Sequence, residues 1–119
     1  MSNNPLVSIL INCFNAENFI ESSLLSAINQ SYKNIEIIVW DNSSTDNTAM
    51  IINRVKDDRV KYFKNSNHVT LGEARVEAIK HLNGEFIAIL DADDLAYEDR
   101  IAKQLQIFLD NKEIGLVSG

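Results

Sequence analysis

Asp91, Asp93 and Asp94 close the run Phe86-Ile87-Ala88-Ile89-Leu90-Asp91-Ala92-Asp93-Asp94 and are the residues of this chain best placed to do chemistry. Asp91 and Asp93 stand one residue apart, so an extended backbone turns both side chains the same way. Converging carboxylates repel each other, and a hard divalent cation such as Mg²⁺ relieves that repulsion while bridging to phosphate oxygens. The apolar residues before them predict a strand buried on both faces at the centre of a parallel sheet. Open α/β sheets bind ligands at the carboxyl ends of their strands, which is where this cluster falls. Asp94 has two readings, a further polar group of the site or the N-cap of the next helix.

The chain of 119 residues is long enough for one domain with a core, and its 45% hydrophobic content marks it as globular. A net charge of −6 with no basic run argues against nucleic acid or an anionic membrane surface as partner. An anionic ligand must then be met by a metal or by local donors. No stretch reaches the length of a transmembrane helix, and the polar leader, residues 1–6, lacks the basic and apolar regions of a signal peptide. The expected location is cytoplasmic. Cys13 is the single cysteine, so no internal disulfide forms; following an apolar strand, it is expected to be buried and inert.

The elements that must position the acids alternate regularly. Val7–Ile11 reads as a buried strand, Asn15 as an N-cap, and Phe19, Ile20, Leu24, Ala27 and Ile28 as the apolar face of a helix. Ile35–Trp40 is a second strand, followed by turn formers from which Ser44 or Thr45 is expected to cap a helix carrying Met50, Ile51 and Val55. Val60–Lys64 alternates with charge and suits a sheet edge. A helix entered through Gly72 places Ala74, Val76, Ala78, Ile79 and Leu82 on its apolar face, and Asn83-Gly84 is expected to end it in a left-handed conformation. After the acidic strand, Ile101, Leu105, Phe108 and Leu109 line another helix, and residues 114–118 begin a strand. Repeated strand–helix units predict an α/β fold, a three-layer α/β/α arrangement around a mostly parallel, Rossmann-like sheet. A chain that stops on an apolar strand is expected to continue past Gly119, and its open edge to favour self-association.

The order of these pieces resembles a known family. Val7-Ser8-Ile9-Leu10-Ile11-Asn12-Cys13-Phe14-Asn15-Ala16-Glu17, Gln30-Ser31-Tyr32, Glu36 through Asp46, Gly72-Glu73-Ala74-Arg75, Gly84-Glu85-Phe86-Ile87 and Leu90 through Leu95 are similar to the nucleotide-binding half of the family 2 inverting glycosyltransferases of the GT-A fold. The resemblance covers residues 7 to about 118 and assigns residues 7–119 to that half. It implies a sugar donor whose UDP, dTDP or GDP moiety lies across the first two strands. Asn12, Cys13 and Phe14 would then border the nucleotide, with Phe14 offering an aromatic face to the base, and Asn42 would stand where the family commonly has a base-reading Asp. Asp91 and Ala92 would lie near the ribose, and Asp93, with Asp91, would hold Mg²⁺ or Mn²⁺ on the diphosphate. Arg75 would meet a phosphate or form an ordinary ion pair.

The departures are specific. Pro-Thr-Tyr-Asn is usual where this chain has Asn12-Cys13-Phe14-Asn15, Asp-Asp is commonest in place of Asp41-Asn42, and an Asn often stands where Val76 follows Arg75. Asn42 both donates and accepts, which leaves the base open. Inversion needs a base that deprotonates the acceptor, a sugar, a lipid-linked species or a protein. The resemblance puts that base beyond Gly119, so that this chain binds donor without being active alone, with the whole enzyme cytoplasmic or peripheral at the inner membrane face. His68 and His81 read as surface residues. A non-catalytic nucleotide-sugar-binding module is the second reading. A haloacid-dehalogenase-type phosphohydrolase fits less well, because its acidic motif belongs on the first strand. A dinucleotide-binding domain lacks its Gly-x-Gly-x-x-Gly, in a chain with four glycines.

Overall fold

The computed structural model describes residues 4–110, apart from the side chain of Phe108. The elements follow in the order β1 (Val7–Cys13), α1 (Ile20–Ile28), β2 (Ile35–Asp41), α2 (Thr48–Arg54), β3 (Val60–Lys64), α3 (Leu71–Ile79), β4 (Phe86–Asp91) and α4 (Arg100–Asp110). All described strands are parallel in the order β3-β2-β1-β4. From β1 the chain therefore winds outward one way through β2 and β3, then crosses back to β4 on the other side. Right-handed crossovers running in opposite directions put their helices on opposite faces. That is the packing observed. Ile20, Leu24, Ala27, Ile52, Ile101 and Leu105 cover one face with Ile9, Ile11 and Val39, while Ala74 and Ala78 of α3 cover Leu10, Ile38 and Trp40 on the other. The three-layer α/β/α expectation holds, and β3 is at an edge as its charges predict.

The burial of β1 and β2 is nearly complete, and each fully covered Ile or Leu contributes about 1.5–3 kcal/mol. β4 departs from expectation. It pairs with β1 alone among the described strands, and Ile87 and Ile89 are only half-buried, so within the described sheet it lies at one side.

Several caps and faces also differ. Asn15 does not cap α1. It takes a left-handed conformation (φ 47°), and α1 begins at Ile20 after Phe19 with no side-chain cap. Neither Ser44 nor Thr45 caps α2, because the helix starts at Thr48, and Asp46 Oδ1 accepts from both the Thr48 amide and its hydroxyl. The cap of α3 is Thr70, whose hydroxyl accepts from the Glu73 amide at 3.2 Å. Thr70-Leu71-Gly72-Glu73 is a Thr-x-x-Glu capping sequence, so the start of α3 is set by Thr70 rather than by Gly72. Gly84 does not have positive φ, so it is not a left-handed terminator. A Cβ there would lie 2.6 Å from the Ser8 amide nitrogen and 2.9 Å from the Leu6 carbonyl oxygen, which is why the position requires glycine. Val76 and Ile79 point outward, as do Phe19 and Met50, while α2 buries Thr48 and Ile52. The strand expected over residues 114–118 and the contacts of Phe108 lie outside the described residues.

Candidate functional site

The winding reverses between β1 and β4, and the crevice of a doubly wound sheet opens at the carboxyl ends of such a strand pair. Here the register sets Asn12 beside Asp91 on one side and Trp40 on the other. A cleft of about 270 Å³ adjoins this point, lined by Asn12, Cys13, Phe14, Asn42, His68 and Val69 with the first turns of α3. The structure thus gathers the predicted residues of the first two strand ends around one space.

Its rim is stitched across loops. The Asn15 amide donates to Ser44 Oγ (2.9 Å), Asn15 Oδ1 accepts from the Thr45 amide (2.8 Å), and the Ala16 amide donates to Thr48 Oγ1 (2.9 Å). Asn15 and Ser43 (φ 62°) both adopt left-handed conformations to allow this; Asn tolerates it readily, while Ser is held there by its surroundings. Asp41 is fully buried and structural: Oδ1 accepts from the Ser44 amide and Oδ2 from Tyr62 Oη at 2.6 Å. Burial pushes the Tyr62 hydroxyl pKa up, and the Asp41 carboxylate pushes it further. Burial, then Asp41 and Asp46, likewise raise the Cys13 thiol, so it stays protonated and fits the inert role expected of it.

Asn42 is buried in the wall of the cleft, and its side-chain amide makes three hydrogen bonds. Oδ1 accepts from the Val69 amide (2.9 Å) and from Asn65 Nδ2 (2.8 Å), while Nδ2 donates to the Val69 carbonyl (2.7 Å). It therefore holds the loop before α3 as one strand holds another. His68 Nδ1 lies 3.1 Å from the Asn42 carbonyl oxygen, a contact that calls for its Nδ1–H tautomer. The His68 ring rests against Phe14, centroids 4.3 Å apart. His68, read from sequence as a solvated loop residue, thus joins the half-exposed Phe14 as an aromatic wall.

On the other side of the switch point, carboxylate oxygens of Asp91, Asp93 and Asp94 all lie within 4.8 Å of one another. Asp94 thereby joins the pair that the spacing had singled out; it does not cap α4, which begins only at Arg100. The loop bearing them is held from α1. Ser23 Oγ donates to the Asp91 carbonyl, Ser26 Oγ accepts from the Ala96 amide, and the buried Gln30 donates to the Tyr97 carbonyl and accepts from the Ile101 amide. Gln30 and Arg100 were not legible as site-supporting residues from periodicity. Arg100 Nη2 donates to the Ile89 carbonyl at 2.7 Å; burial lowers its pKa, and Asp94 and Asp91 nearby oppose that. Arg75 approaches Asp91 at 3.9 Å. Ala92 lies half-buried between the acids and packs toward the core.

A set of exposed hard oxygen donors suits a hexacoordinate divalent cation of the Mg²⁺ or Mn²⁺ type and offers nothing to a soft metal. Fold and crevice together define a doubly wound α/β domain with an acidic ligand site at its switch point. Residues 8–118 match the family model described as glycosyl transferase family 2. The chain belongs to that family and has the GT-A type of fold. It is 40% identical over 111 residues to an uncharacterized glycosyltransferase of Haemophilus influenzae, covering 92% of this chain and 44% of that one. It is 41% identical over 109 residues to the Escherichia coli UDP-Glc:alpha-D-GlcNAc-diphosphoundecaprenol beta-1,3-glucosyltransferase WfaP, with 92% and 43% covered. The chain thus spans less than half the length of these curated relatives. Among solved structures it superposes on the mannosyltransferase PcManGT of Pyrobaculum calidifontis in complex with GDP-Man and Mn²⁺ with a TM-score of 0.85 at 26% identity, covering 92% of this chain and 34% of that one. The S. aureus TarS complex with UDP-GlcNAc gives 0.83 at 24% identity, with 89% and 32% covered, a likeness of fold. No helix among the described residues is long and apolar enough to cross a membrane.

Proposed function

We propose that residues 7–119 are the donor-binding half of an inverting glycosyltransferase that takes a nucleotide-diphosphate sugar with a divalent cation. The observation that carries this is the convergence of Asp91, Asp93 and Asp94 beside the cleft at the switch point. The cleft takes the nucleoside, with Phe14 as its aromatic wall, and the acids take the metal through Asp93 and Asp91, with Asp94 as an added oxygen donor. When bound, the cation supplies positive charge that stabilises the diphosphate as the sugar departs. Arg75 adds a fixed cation on the same side. The relatives that carry UDP-Glc and GDP-Man in their names support a nucleotide-sugar donor without selecting the base. A cytoplasmic enzyme acting on a sugar, lipid-linked or protein acceptor fits this reading.

Calorimetric titration with UDP and with GDP, each with and without Mn²⁺, tests it. Binding should require the cation, and Asp93→Asn should abolish the metal-dependent part while leaving the thermal midpoint unchanged, since Asp93 is exposed. Equal affinity in the variant, or in excess EDTA, would sink the proposal.

A further inference from the structure

Gln30 is fully buried just past the end of α1, outside both the cleft lining and the acidic cluster. Both ends of its amide are committed to chain 67 and 71 positions further on. Nε2 donates to the Tyr97 carbonyl at 2.7 Å, and Oε1 accepts at 2.9 Å from the Ile101 amide, in the first turn of α4, where amides lack helical acceptors. Beside it, the Ser31 amide donates to the Glu98 carbonyl at 2.7 Å. One and two turns back along α1, Ser26 and Ser23 continue the same face. Ser26 Oγ accepts from the Ala96 amide at 3.0 Å and donates to the Ser23 carbonyl at 2.7 Å, while Ser23 Oγ donates to the Asp91 carbonyl at 3.2 Å. Asp93 and Asp94 are thus strung between two points fixed to α1, Asp91 and Ala96, and the Asp94 amide closes a turn onto the Asp91 carbonyl at 3.0 Å.

A buried position next to the core suits an apolar side chain, and an amide there is costly unless its groups are met. Here they are met by the loop that carries the acids. Carboxylates within 4.8 Å of one another repel, and a free loop would relieve that by spreading them apart. Resting on the metal-binding reading above, we infer that Ser26 and Gln30 are positioning residues for the cation, which hold the carboxylates of Asp91, Asp93 and Asp94 converged before it arrives. A site organised in advance loses less freedom when its ligand binds, so this clamp raises cation affinity without touching the ion.

The probe is Mn²⁺, alone and with inorganic pyrophosphate, titrated into the whole chain well below each variant's thermal midpoint and followed by electron paramagnetic resonance of the free ion. Ser26→Ala and Gln30→Leu should each weaken Mn²⁺ binding by between about threefold and tenfold, the equivalent of one hydrogen bond. Hydrogen exchange at the Ala96 and Ile101 amides should accelerate in these variants, and Mn²⁺ should slow it again, because cation and clamp favour the same loop conformation. Ser26→Ala removes only a hydroxyl at a half-buried position and keeps the test open if the buried Gln30→Leu does not fold. Glu36→Gln alters buried hydrogen bonds to Ser8 and Asn83 at the amino end of the sheet and serves as the destabilised control. Its thermal midpoint should fall while its Mn²⁺ affinity holds. Unchanged Mn²⁺ affinity in Ser26→Ala and in any folded Gln30→Leu, or an equal loss in Glu36→Gln, would overturn the inference, and Asp93→Asn would still report on the metal site itself. Failure of the wild-type chain to bind Mn²⁺ in either form would instead overturn the metal reading, and this inference with it.

Discussion

Arg75 holds Nη2 3.9 Å from Asp91 Oδ1, with both side chains well exposed at 37% and 62%. An ion pair that long and that wet contributes under about 1 kcal/mol, so stability does not explain an arginine at this point. A planar fork of donors beside the proposed diphosphate site does. Its Nε is also covered and without a partner among the described residues. Arg75→Gln should shift the thermal midpoint by no more than about 3 °C and weaken Mn²⁺-pyrophosphate binding several-fold. Differential scanning fluorimetry and calorimetry check the two halves; a destabilised variant with undiminished anion binding would make Arg75 structural. At this scale the sequence was most informative where residue type alone limits the chemistry. Carboxylates in a row and a hydrophobic strand before them could be read directly. What Asn42 does could not be, because its partner Val69 lies 27 positions away and the pairing depends on how a loop returns to the sheet.

Glu36 shows the same limit among elements. In the sequence it is one residue of a hydrophobic strand, yet in the structure it is a buried junction between β1, β2, β3 and the turn into β4. Its carboxylate accepts from Ser8 Oγ, from the backbone and side chain of Asn83, and from Lys61 Nζ at 3.3 Å. Ser8 Oγ in turn accepts from the Gly84 amide, in the close approach that bars a Cβ at Gly84. Strand alternation reveals which face a residue takes, so Glu36 on the α3 side was legible; a four-element junction was not. Burial pushes the Glu36 carboxyl pKa up, but the hydrogen bonds from Ser8, Asn83 and Lys61 outweigh it and hold the value below the ordinary 4.5. A carboxyl depressed on folding contributes stability that is complete above its unfolded value and lost as pH falls through its folded one. Unfolding free energy should therefore decline as pH drops below about 4.5, and Glu36→Gln should flatten that decline. At pH 7 the variant should cost about 2 kcal/mol, since one buried donor is left facing the Gln amide. Denaturant titrations at pH 7 and pH 4 measure both; an undiminished pH slope in the variant would assign acid sensitivity elsewhere.

At the scale of the whole molecule, the alternation of strand and helix was enough to give a parallel three-layer domain, because the right-handed crossover rule leaves few other arrangements. It was not enough to order the strands. β4 has an apolar run like that of a central strand, and α3 has apolar residues on more than one side, so periodicity alone could not separate inward Ala74 and Ala78 from outward Val76 and Ile79. The same scale bears on catalysis. Inverting transfer requires a carboxylate to take the acceptor proton from the side opposite the leaving group. Glu36 and Asp41 are buried in structural hydrogen bonds, Asp46 serves Thr48 and the Glu17 amide, and Asp57 pairs with Arg59. Asp99 pairs with Lys103, and the cluster at Asp91, Asp93 and Asp94 is the proposed metal site. With less than half the length of its relatives, the chain should bind UDP with Mn²⁺ yet release no UDP from a UDP-sugar in an acceptor-dependent way. Slow hydrolysis by water is the most that leaving-group stabilisation without an oriented acceptor supports. A coupled assay for UDP release across glucose, N-acetylglucosamine and lipid-diphosphate acceptors, run beside a binding titration, decides it. Turnover at ordinary enzymatic rates would mean that a carboxylate of this chain is the base.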